Sequence, residues 1–239
     1  MRLIFVYRLK EDKMKKVLLA LLVAVLAATS LAWAAEETDW SGLYFGINAG
    51  LARHEPNWSD NDDDWFGGTL TNPYYTILPG GALGYNKQFG SLVFGFEVDG
   101  AFGFMENKVD YSLDWMPVHH DVTKTDKLKA LITVRARMGF AIDSALFYLT
   151  AGAGLPLADH TWIEAGDPND SWPTFTNSNP GMVVGLGFEH RLNRNLAFKA
   201  EFLGFNNSPK VEANTYAHPY SMSVDDTIGM LRVGFNILF

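Results

Sequence analysis

The chain has 239 residues, no cysteine, and 27 Asp/Glu against 19 Lys/Arg. Without cysteine, neither a disulfide framework nor a thiolate metal site can be built. Residues 1–34 carry six Lys/Arg and two Asp/Glu, so the remainder stands at −12, and that acidity argues against nucleic acid as a partner.

Taken in chain order, residues 14–34 read as an export signal. Lys15 and Lys16 precede an unbroken apolar run from Val17 to Ala28, and Ala32-Trp33-Ala34 fits the small-x-small rule, which places a cut after Ala34. Thr29 and Ser30 interrupt the run before the ~20 apolar residues that a spanning helix needs. No cysteine follows the cut, so a lipoprotein is excluded. Met14 is a second plausible start. The expected organisation is therefore a signal peptide at 1–34 and one domain at 35–239.

Beyond residue 40 the pattern is period two, not 3.6. Leu43, Phe45, Ile47, Ala49 and Leu51 interleave with Tyr44, Gly46, Asn48 and Gly50. Similar alternation predicts strands at 78–87, 92–104, 128–142, 146–155, 181–191, 196–205 and 227–239. That makes eight strands of the length a tilted membrane strand requires. On 92–104 the even positions are apolar and the odd set holds Glu97 and Asp99. On 128–142 every even position, from Leu128 to Ile142, is apolar, and the odd set includes Arg135 and Arg137.

The connections alternate in length. Those at 88–91, 143–145 and 192–195 are short, whereas the other four run to about 20–25 residues and are rich in Asp, Asn, Pro and Trp. Short turns on one side and long polar loops on the other predict periplasmic turns and extracellular loops. In hydrocarbon every backbone polar group must be paired, so the eighth strand must close on the first. The expected fold is all-β: an eight-stranded antiparallel transmembrane barrel. Tyr85, Phe89, Phe140, Phe147, Phe188, Phe198 and Phe239 are placed to form an aromatic girdle at the short-turn end.

The faces then follow. Apolar stripes face lipid; Gly, small and charged residues face inward. The expected interior charge network is Glu97, Asp99, Arg135, Arg137, Glu189, Arg191, Lys199, Glu201 and Arg232, with Glu97 and Arg137 at similar depth, subject to the stagger of the barrel. Buried charges must be paired, and their near balance of sign suits a plugged lumen. The last strand ends Leu231, Val233, Phe235, Ile237, Phe239. Phe235, Ile237 and the terminal Phe239 resemble the assembly signal of outer-membrane barrels.

These residues resemble a family. Trp40-Ser41-Gly42-Leu43-Tyr44-Phe45-Gly46-Ile47-Asn48-Ala49-Gly50 is similar to the opening strand of Omp25/Omp31-type opacity proteins, small "porin family" barrels. Thr133-Val134-Arg135-Ala136-Arg137-Met138-Gly139-Phe140-Ala141 and Tyr148-Leu149-Thr150-Ala151-Gly152-Ala153-Gly154 are similar to their later strands. The resemblance covers roughly 40–239. It implies an OmpA-like eight-stranded barrel in the bacterial outer membrane, and no defined reaction.

Other constellations carry less. His119-His120-Asp121 and His160 fall in predicted loops and are expected to be solvated. His190 lies on the outward set near the short-turn rim, with no Ser beside it for lipid chemistry. Asp60, Asp62 and Asp64 imitate a calcium loop, but Trp65 stands where Gly is needed and Thr71 where Glu is. Trp58, Trp65, Trp115, Trp162 and Trp172 either form a binding surface or pack the loops on themselves. No catalytic set, metal or cofactor is expected. The expected partners are outer-membrane lipids, lipopolysaccharide and the assembly machinery. A structural and surface-interaction role leads; a small-solute channel and an envelope lipid-modifying enzyme are the alternatives.

Overall fold

The computed structural model describes residues 39–61, 68–115, 118–165, 172–213 and 221–239, so the expected signal peptide lies outside the described residues. The elements, all strands, are β1 (Gly42–Asp60), β2 (Thr69–Thr71), β3 (Tyr74–Phe89), β4 (Leu92–Phe102), β5 (Asn107–Trp115), β6 (Val118–Ile142), β7 (Ala145–Glu164), β8 (Trp172–Asn177), β9 (Gly181–Arg191), β10 (Leu196–Asn207), β11 (Lys210–Ala213) and β12 (Ser221–Leu238). Eight of them form an antiparallel ring in the order β1-β3-β4-β6-β7-β9-β10-β12. β12 closes on β1 from Tyr44 opposite Leu238 to Asp60 opposite Met222. The short turns are as expected from the sequence. Gly90 and Asp143 take positive φ there, 58° and 50°, the backbone a tight hairpin demands.

The ring strands carry an apolar outer belt. Ile47, Ile77, Phe96, Val134, Leu149, Leu186 and Phe202 are all exposed on it. Tyr85, Phe89, Phe140, Phe147 and Phe239 are exposed at the short-turn end. Phe188 packs on Phe147 at 5.1 Å between ring centroids, and Phe198 on Phe235 at 5.9 Å.

Above the belt the strands continue where the sequence reading placed loops. Here β2 pairs with the upper part of β1, β11 with that of β12, β5 with that of β6 and β8 with that of β7. Two half-sheets result, β2-β1-β12-β11 and β5-β6-β7-β8. They face one another, and no ladder joins β2 to β5 or β8 to β11 among the described residues. The polarity of the alternation inverts at this level. In the belt, Phe235 and Ile237 point out while Arg232 and Asn236 point in. Higher on β12, Met222 and Val224 are buried, and the alternate positions that follow them are Ser223 and Asp225.

β6 reaches the inverted pattern through a bulge. Leu128 pairs with Ala158 and Ala130 with Leu157, leaving Lys129 extra. One extra residue exchanges the two faces of a strand. Leu128 and Ala130, expected to face lipid, are therefore buried inside the barrel, while Ile132, Val134 and Met138 remain outside.

The interior is filled in layers. From the short-turn end these are an apolar floor with Trp40, Tyr44, Leu146 and Tyr148; a charged layer; an apolar middle with Leu78, Leu131, Leu203, Phe205 and Met230; a His/Asp layer; and a cap with Trp58, Val122, Trp162 and Val224.

Candidate functional site

The charged layer is built from one or two inward positions on each of β4, β6, β9, β10 and β12. Four carboxylates (Glu97, Asp99, Glu189, Glu201) face four cations (Arg135, Arg137, Lys199, Arg232), and all eight are buried. Arg135 donates to Asp99 at 2.6 Å, to Glu201 at 3.0 Å and to Glu97. Arg232 donates through Nε to Glu201 at 2.6 Å and through its terminal nitrogens to Asp99 at 3.0 Å and Glu97 at 3.1 Å. Lys199 Nζ reaches both Glu97 oxygens, at 2.8 and 2.6 Å. Thr133 donates to Asp99 at 2.6 Å.

Arg137 is a second focus. It donates to Glu189 at 2.6 Å and to Tyr44 Oη at 2.7 Å, and Tyr44 in turn donates to Glu97 at 2.7 Å. Its guanidinium lies 3.8 Å from the Tyr148 ring centroid, over the face. Glycine makes the room: a Cβ at Gly84 would clash with the phenol end of Tyr44, and one at Gly187 with that of Tyr148. Neither tyrosine was singled out from sequence as part of this layer, although their place opposite inward glycines was a usable signal.

Two expectations are corrected here. Glu97 stands opposite Arg135 in the β4–β6 register, and Arg137 opposite Gly95. Arg137 is 3.6 Å from Glu97 but 2.6 Å from Glu189. The expected similar depth was subject to stagger, and the stagger that closure imposes sets Arg137 one inward position below Glu97. Arg191 has the inward parity but sits past the last layer. It donates to the backbone oxygens of Arg194 and Asp39 and lies 4.9 Å from the Trp40 ring, closing the short-turn rim outside the network. Phe235, Ile237 and Phe239 point outward, and Ile237 pairs with Phe45 at the seam.

The second polar layer was not anticipated. His160, expected to be solvated, is fully buried on β7, where Asp126 accepts from its Nδ1 at 2.8 Å and Asp226 Oδ1 faces its Nε2 at 3.4 Å. Trp58 Nε1 donates to Asp126 at 3.0 Å, and Lys124 Nζ is 3.2 Å from the same carboxylate. His54 bonds Asp226 at 2.6 Å through Nε2 and Tyr74 at 2.9 Å through Nδ1. The Leu128 N–H donates to Tyr74 Oη at 2.8 Å, so the Tyr74 proton is left for His54 Nδ1 and the His54 Nε2 proton for Asp226.

This layer lies above the lipid belt, level with the outward positions Arg53, Lys127, Asp159 and Thr227. Burial alone would lower the His160 pKa. Its two carboxylate partners outweigh that and push it up to about 9. Burial would raise Asp226, but His160 and His54 hold it well below the usual carboxylate range. Burial depresses Lys124 despite Asp126.

Of the loop aromatics, Trp58 and Trp162 are fully buried, 5.7 Å apart, with Phe175 beside Trp58 at 5.8 Å. These two pack the hairpins on themselves. Asp60 is buried at the end of β1, while Asp62, Asp64 and Trp65 lie outside the described residues. His190, expected on the outward set, is buried: it pairs with Ala145 and Phe198 and stacks on Phe188.

The comparisons agree with this geometry. A family model described as outer membrane protein beta-barrel domain matches residues 18–225. The chain is 26% identical over 211 residues to the 31 kDa outer-membrane immunogenic proteins of Brucella melitensis and Brucella suis, covering 80% of this chain and 86% of each relative. Among solved structures, the outer membrane protein OprG from Pseudomonas aeruginosa superimposes with a TM-score of 0.54 at 14% identity, over 84% of this chain and 98% of that one. That likeness is one of fold.

Proposed function

This chain belongs to the outer membrane protein beta-barrel domain family, and from that premise we propose that it is a closed barrel which displays acidic hairpins at the cell surface, a structural and surface-interaction role with no reaction of its own. The short turns then lie in the periplasm, the half-sheets project outside, and lipopolysaccharide surrounds the belt. The observation that carries the reading is the filled interior. A channel needs a continuous wet path, and here the charged layer lies between a floor with Trp40 and Leu146 and an apolar middle with Leu131 and Phe205. Eight strands leave a lumen that side chains fill. The Brucella relatives carry "immunogenic" in their names, which suits display at a surface.

Single-channel recording of the refolded protein in a planar bilayer is expected to show no stepwise conductance. Sustained steps would favour the small-solute channel instead. We also propose cleavage after Ala34: mass spectrometry of protein from outer membranes should find Ala35 at the N-terminus. The role assigned to Phe235, Ile237 and Phe239 is recognition by the assembly machinery, and deleting Phe239 should lower the folded yield in cells while leaving refolding into detergent intact.

A further inference from the structure

Among the described residues, several of the bonds that join the two half-sheets above the belt pass through the His/Asp layer, with Lys210 Nζ to the Thr176 carbonyl at 3.1 Å a further link outside it. Trp58 of one half donates to Asp126 of the other. His160 on β7 contacts Asp126 on β6 within its own half and Asp226 on β12 across the gap. Asn177 on β8 donates to Asp226 at 2.9 Å and to the Val224 carbonyl at 3.1 Å. The groups facing this layer come from every neighbouring element: His54 from β1, Tyr74 from β3, Tyr111 from β5, Lys124 and Asp126 from β6, and Asp226 from β12. Asn177 of β8 and Asn207 of β10 add neutral contacts.

We propose that this layer is a proton-dependent lock on the extracellular mouth: His160, carrying both ring protons, bridges Asp126 to Asp226, and loss of one proton unfastens the two half-sheets while the lipid-embedded ring stays closed. The charge count supports it. Lys124 and cationic His160 balance Asp126 and Asp226, while His54 accepts from Tyr74 at Nδ1 and donates from Nε2 to Asp226. Removing a proton from His160 turns one of its nitrogens into an acceptor facing a carboxylate oxygen. It also leaves a buried negative charge without a counter-ion, which is costly. The direction follows from linkage. A histidine raised from its ordinary 6.5 to about 9 contributes stability in full below about pH 6.5 and loses it as pH rises through about 9.

The test is hydrogen exchange, followed by mass spectrometry, on the full barrel refolded in phospholipid vesicles between pH 6 and pH 10, with rates corrected for intrinsic exchange. Protection of upper β1 (residues 55–60) and upper β7 (residues 160–164) is expected to fall at least about tenfold over that range, with protection of residues 43–51 unchanged. His160→Gln keeps hydrogen-bonding capacity without titrating, and should flatten the pH dependence. Asp226→Asn should lower the midpoint by about one unit or more, because one of the charges that holds the proton is gone. The lock is overturned by pH-independent protection in the native protein, by the same pH dependence in His160→Gln, or by the belt opening together with the mouth. Should His160→Gln fail to fold, an unchanged midpoint in Asp226→Asn overturns it.

Discussion

At the scale of single residues, the charged layer is a set of coupled partners. Arg137 is the member whose loss is simplest to interpret, because one carboxylate, Glu189, takes its shortest ion pair. Arg137→Gln strands a buried carboxylate and should destabilise the barrel by about 3–5 kcal/mol. Adding Glu189→Gln should recover part of that loss, more than adding Glu97→Gln does. Urea unfolding in lipid vesicles, analysed as a double-mutant cycle, measures the difference. Strict additivity for Arg137 and Glu189 would mean that the pair is not coupled. The sequence showed that these residues face inward, since their parity opposes the lipid-facing stripe. It could not show who meets whom, because partners across a narrow barrel are chosen by stagger and by long side chains. Arg191 illustrates the limit: parity places it inward, yet it is one step beyond the space the network occupies.

At the scale of elements, the belt was readable and the upper strands were not, for one reason. Membrane strands show apolar-outside alternation, and above the lipid the alternation reverses. Trp58, Val224 and Trp162 point in, as in a water-soluble sandwich, so tracts such as Asn57 to Asp60 looked like loop. The face assignment in the belt has a direct check. Ala136 is exposed mid-strand on β6 and Asn206 is exposed near the top of β10. Arg at 136 should cost about 2–4 kcal/mol near the midplane, and Arg at 206 much less. Equal costs would mean misassigned faces. The bulge has its own prediction. Deleting Lys129 should force Leu128 and Asp126 to exchange faces with their neighbours. The belt should still close, while the near-ultraviolet circular dichroism of Trp58 and Trp162 is lost. Retained signal would show that the strand repairs its register elsewhere.

At the scale of the whole molecule, the barrel is one ring of strands in two solvents. Its lower half turns an apolar face to lipid around an interior of charged and apolar layers, and its upper half turns polar groups to water and hides apolar ones. The upper arrangement draws on the hydrophobic effect, which weakens on cooling and leaves a positive heat-capacity change when the structure opens. Unfolding the upper half wets Trp58, Trp162 and Val224, whereas the belt residues have acyl chains against them before and after local opening. The mouth should therefore have a curved stability profile with a maximum at moderate temperature, and the belt a flatter one. Chilling a membrane that carries this protein would loosen the displayed hairpins while the ring beneath them holds, so the surface presented outside depends on temperature even where the barrel does not.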